Sequence, residues 1–67
     1  MPALNPDQYT VYTHVLDRGC QGITVPDLAC VCYESELWAQ QVLNRLVELR
    51  QVVNHNGLYI ACYRQWE

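Results

Sequence analysis

The chain has 67 residues, the size of one domain that buries only about 60% of the surface its unfolded form exposes, so its stability is expected to be marginal without oligomerisation or staples. Hydrophobic residues make up 51% of it, which favours a packed globule over disorder, yet no apolar run approaches the ~18 residues of a membrane span. Seven acidic residues face four arginines and no lysine, a net charge of −3, which argues against tight phosphate binding by a single copy.

The N-terminus has neither the basic lead-in nor the apolar core of a signal peptide, so the expectation is a cytoplasmic protein. Asn5-Pro6-Asp7-Gln8 predicts a helix start: Asn5 can cap free amides, Pro6 stands where its missing N–H costs nothing, and Gln8 falls three residues after the cap. That helix is expected over Pro6 to Arg18, with Gly19 as a left-handed stop. Offsets of three and four select Tyr9, Tyr12, Val15 and Leu16 as its inward stripe and leave His14 in solvent.

Gln21-Gly22-Ile23-Thr24 reads as a short extended segment with Ile23 pointing inward. Thr24 or Val25 then leads into a second helix, with Pro26 in its first turn and Asp27 near the positive end of the dipole. Leu28, Ala29 and Cys32 share the inward face, and Cys30 lies nearer the surface. Tyr33-Glu34-Ser35 reads as a turn, and Ser35 caps a third helix running to about Arg50. The spacing of Trp38, Ala39, Val42, Leu43, Leu46 and Leu49 marks its buried side, which leaves Glu36, Gln40, Gln41, Asn44, Arg45 and Glu48 outside.

Two strand-like runs, Gln51 to His55 and Leu58 to Tyr63, flank Asn56-Gly57, a dipeptide that favours a two-residue hairpin turn. Tyr9, Tyr12 and Trp38 are expected in the core. Tyr63 and Trp66 are harder to place inside so small a globule, and exposed together they would form an apolar patch suited to a homodimer.

The four cysteines, Cys20, Cys30, Cys32 and Cys62, read as free thiols. A cytosolic chain keeps thiols reduced, and on a helix Cys30 and Cys32 point about 200° apart, too far round the axis to share one ion. No CxxC pair is present, and His14 and His55 stand at no recognisable ligand spacing, so no metal or other cofactor is expected. Nor do Ser35, His14 and the acidic residues show the spacing of a nucleophile, base and orienting group, so the chain does not read as an enzyme.

The order helix, short strand, helix, helix, hairpin, carried by Ile23, Leu28-Ala29, Ala39, Leu43, Leu46, Val52-Val53 and Asn56-Gly57, resembles the winged helix-turn-helix superfamily. The resemblance spans nearly the whole chain. It implies one α+β domain over residues 1–67, mostly helical, with three helices and a two- to three-stranded wing. In that superfamily the third helix enters the major groove while the hairpin touches the backbone or the minor groove. Carried over by position, the contact residues would be Ser35, Glu36, Gln40, Gln41, Asn44 and Arg45, with His55 and Asn56 at the wing tip. Two departures stand out: the glycine usual in the turn before the third helix is replaced by Tyr33 or Glu34, and Glu34 and Glu36 would repel a duplex.

Two functions follow as expectations. One is a small transcriptional regulator that binds double-stranded DNA as a dimer, reading bases with Gln, Asn and Arg. The other is an acidic interaction module, including a small phage-type inhibitor, that docks on the basic, nucleic-acid-binding surface of a protein partner through Glu34, Glu36 and Glu48.

Overall fold

The computed structural model describes residues 4–62. Three helices, α1 (Pro6–Arg18), α2 (Val25–Cys32) and α3 (Glu36–Glu48), precede an antiparallel hairpin of β1 (Val52–His55) and β2 (Leu58–Ala61), and a 3-10 turn over Gly19–Gln21 follows α1. The described chain is therefore mostly helical α+β, with one two-stranded sheet.

Local chemistry accounts for each boundary. At α1 the Gln8 amide donates to Asn5 Oδ1 at 2.8 Å while the Asn5 amide donates to Gln8 Oε1 at 3.1 Å, a reciprocal box that satisfies two amides the helix itself leaves open. Thr24 caps α2 through the Asp27 amide at 3.4 Å, and Ser35 caps α3 through the Trp38 amide at 3.1 Å. Helices α2 and α3 both stop on a residue in the left-handed region that is not glycine, Tyr33 at φ 57° and Arg50 at φ 62°. There the Glu34 amide reaches back to the Ala29 carbonyl and the Gln51 amide to the Leu46 carbonyl, each at 3.0 Å.

The hairpin pairs Val52 with Ala61, Val53 with Ile60, Asn54 with Tyr59 and His55 with Leu58. Asn56 at φ 54° and Gly57 at φ 90° take the two positive-φ positions of the tight turn, and Asn54 Oδ1 accepts the Gly57 amide at 2.8 Å. A single antiparallel bridge joins Ile23 to Tyr59, with the Ile23 amide 2.9 Å from the Tyr59 carbonyl and the Tyr59 amide 2.8 Å from the Ile23 carbonyl. It ties the loop before α2 to β2 without making a third strand.

All the helices and both strands feed one core. Val11 and Val15 come from α1, Ile23 from the bridge, Leu28 and Ala29 from α2, Ala39, Leu43 and Leu46 from α3, and Val52, Tyr59 and Ala61 from the hairpin. Burying each of the larger aliphatic side chains among these contributes about 1.5–3 kcal/mol, and Ala39 lets α3 approach its neighbours closely.

Five expectations need correcting. The α1 stripe is set by Val11 and Val15, both fully buried, whereas Tyr9 is 61% exposed; Tyr12 and Leu16 only pack against the core edge. Helix α1 thus turns its narrower valines toward α3 and β2, where a tyrosine would have to bury its hydroxyl. His14, expected in solvent, is half-buried. Gln21 belongs to the 3-10 turn, so the extended segment begins one residue later, and α3 ends at Glu48 because Arg50 turns left-handed. Trp38 is likewise at the core edge and not inside it. The strand end at Tyr63 and the Tyr63 and Trp66 patch lie outside the described residues.

Candidate nucleic-acid interface on the third helix and the hairpin

Helix α3 buries Ala39, Leu43 and Leu46 against α1, α2 and β1, so its other side is presented outward. At 100° per residue, Leu37, Gln41, Asn44 and Glu48 fall within about 60° of one another on that side, with Arg45 on one flank and Gln40 on the other. Gln41, Asn44, Arg45 and Glu48 are exposed, and Leu37 is 68% exposed at the helix start. The stripe is thus two carboxamides framed by a leucine and a glutamate.

Gln40, expected on the outer side, is half-buried and joins α3 to the hairpin. Its Nε2 donates to the hydroxyl of Tyr59 at 2.8 Å and to Asn44 Oδ1 at 2.9 Å. Tyr59 is buried, and its hydroxyl also accepts from Asn54 Nδ2 at 3.4 Å. Four side chains from α3, β1 and β2 are therefore held in one polar chain, and the outermost, Asn44, faces solvent.

The other anticipated contact residues are placed as follows. Ser35 and Glu36 are exposed at the start of α3, where the Ser35 hydroxyl is committed to the cap and the Glu36 carboxylate favours the positive end of the helix dipole. Glu36 stands about 100° round the axis from Leu37, off the outward stripe. Arg45 donates to Glu48 Oε1 at 2.8 Å. His55 and Asn56 are exposed at the hairpin tip.

Charge is sparse and partly neutralised. Arg18 lies 3.9 Å from Asp27, Arg45 is paired with Glu48, and Arg50 makes no ion pair among the described residues. Arg50 borders an open cleft of about 370 Å³ with Val47, Val52, Val53, Asn54 and Cys62. That cleft holds one cation and no acid–base pair. Burial, and then the carboxylate of Glu34, pushes the Cys32 thiol above its usual range, so it favours the neutral form. Among the described residues no three His, Cys, Asp or Glu side chains gather as a metal site, and no helix is long and apolar enough to cross a membrane.

Sequence reasoning missed three features of this face. Leu37 faces outward on the stripe, Tyr33 is 94% exposed in the turn before α3, and Gln40 is engaged by the hairpin. The exposure of Leu37 was available from helical spacing, since it lies a full turn before Gln41; the Tyr59 contact spans 19 residues and leaves no local trace. Comparison with protein-family models, with curated proteins and with solved structures finds no match to this chain.

Proposed function

We propose that the chain is a winged-helix DNA-binding protein, a small transcriptional regulator that acts as a dimer. The observation that carries the reading is the outward stripe of α3, where Gln41 and Asn44 stand exposed beside Arg45 and next to a hairpin whose tip is polar. The order of elements supports it, with Ile23 bridged to β2 ahead of a two-helix turn. Carboxamides and an arginine on an exposed helix are the groups that read adenine and guanine edges or hold a phosphate. The Arg45 to Glu48 pair is no obstacle, because an exposed ion pair contributes about 0–1 kcal/mol and exchanges readily for a phosphate.

Dimerisation follows from the charge. Three arginines among the described residues neutralise few phosphates, and two copies would double that set while placing two α3 helices on successive major grooves. The test is substitution of Arg45→Ala and Gln41→Ala. Both side chains are exposed, so each variant should keep its thermal midpoint and lose duplex binding; undiminished binding in both variants refutes the reading.

A second reading rests on a different observation. Tyr33 and Leu37 are exposed next to Glu34 and Glu36, an acidic and apolar edge suited to a basic protein surface. Charge reversal at Glu34 and Glu36 should then weaken a protein complex and leave DNA affinity unchanged or raised.

A further inference from the structure

We infer that α3 selects A·T base pairs in the major groove, with Asn44 reading adenine and Leu37 packing on the thymine methyl group. This inference rests on the DNA-binding reading and narrows it to a class of site.

An asparagine recognises adenine with both ends of its amide: Oδ1 accepts from the N6 amino group and Nδ2 donates to N7. The amide must be held in one orientation, or the contact loses the entropy of fixing it. Here the orientation is already set. The Tyr59 hydroxyl anchors Gln40 Nε2 at 2.8 Å, and the same Nε2 anchors Asn44 Oδ1 at 2.9 Å. One lone pair of Oδ1 stays open, Nδ2 makes no hydrogen bond among the described residues, and Asn44 is exposed. Tyr59 is itself fixed, since its backbone is bridged to Ile23 and the residue is 2% exposed. Gln40 and Tyr59 are thus positioning residues, and Asn44 is the group that touches the base.

Leu37 supplies the second half. A leucine that is 68% exposed, two turns before Asn44 on the same stripe, keeps most of its apolar surface in solvent. In a major groove its side chain meets the one apolar group that base edges present there, the thymine C5-methyl. Arg45, the one cation of α3, lies on the flank of the stripe and is assigned to a phosphate instead of a guanine.

The experiment measures affinity of the full chain for a duplex of about two helical turns in four forms: A·T-rich, G·C-rich, A·T-rich with 7-deazaadenine for adenine, and A·T-rich with uracil for thymine. The last two remove only the N7 acceptor or only the methyl group, and both leave the minor groove unchanged. The chain should bind the 7-deazaadenine duplex about 5- to 100-fold more weakly and the uracil duplex roughly fourfold more weakly than the parent. Leu37→Ala should bind thymine and uracil duplexes equally, and Asn44→Ala should ignore the 7-deaza substitution. Tyr59→Phe keeps the ring and removes the anchor, so it should lower the ratio of adenine to 7-deazaadenine affinity while leaving G·C-rich binding as it was; a general loss of structure would lower both together. Duplex binding that is indifferent to both base analogues overturns this inference alone. Absence of binding to every duplex overturns it together with the DNA-binding reading.

Discussion

Replacing Gly22 with alanine should destabilise the domain far more than the same change at Gly19. Both glycines have positive φ, 59° at Gly19 and 73° at Gly22, so each substitution carries a backbone strain of about 1–3 kcal/mol. Their surroundings differ. A Cβ at Gly19 meets nothing within 4 Å, whereas at Gly22 it would lie 2.8 Å from Leu58 Cγ, 2.9 Å from Ile60 Cγ1 and 2.9 Å from the Tyr59 carbonyl oxygen. The two side chains can rotate, but the carbonyl cannot withdraw without breaking the paired Ile23 and Tyr59 hydrogen bonds, each contributing about 1 kcal/mol. The extra cost at Gly22 is therefore about 2 kcal/mol, and at roughly 4–8 °C per kcal/mol for a domain of this size its midpoint should fall some 10 °C below that of Gly19→Ala. Thermal unfolding followed by far-ultraviolet circular dichroism reads this directly. Midpoints within two or three degrees of each other would refute the claim that Gly22 exists to let the loop before α2 lie against β2.

Tyr33→Gly should raise the thermal midpoint, because a left-handed residue with a side chain costs roughly 1 kcal/mol that glycine does not incur, and Tyr33 is almost fully exposed; an unchanged or lower midpoint would show that the tyrosine stabilises the turn. In urea titrations Val11→Ala should lose roughly 2 kcal/mol while Tyr9→Ala loses little, and the reverse order would restore the stripe expected from spacing alone. In timed alkylation with iodoacetamide, Cys20 and Cys30 should react before Cys32, whose thiol is half-buried and held in its neutral form by burial and by Glu34. The sign of its pH dependence follows: with the folded thiol raised above its unfolded value, its contribution to stability is full at neutral pH and is lost as the solution becomes strongly alkaline, so Cys32→Ala should flatten that decline in an alkaline unfolding series.

The features legible in the sequence were those whose chemistry is local. The Asn5 and Gln8 box, the Ser35 cap and the Asn56-Gly57 turn each involve residues at most three apart, and each forms as its residue types require. Helix α1 shows where such reasoning ends. Tyr9, Val11, Tyr12, Val15 and Leu16 offer two overlapping stripes, and the choice between Tyr9 and Val11 is made by how closely α3 and β2 approach, which no periodicity encodes. Spacing puts Gln40 outside for the same reason: its angle on α3 is that of an edge, and only the Tyr59 hydroxyl arriving from β2 turns it into a link. Gly22 is a third case, since what forbids a side chain there is a strand more than thirty residues away in the sequence.

The proposed DNA-binding surface of α3 and the hairpin has to work against a net charge of −3. The most direct measurement is a fluorescence-anisotropy titration of the purified chain against a random-sequence duplex at low and at moderate salt. A DNA-binding surface there should give saturable binding at low salt that weakens steeply as salt rises, the mark of displaced counterions at phosphate contacts. No binding at low salt would contradict it and would direct attention to a protein partner for the acidic edge around Glu34 and Glu36.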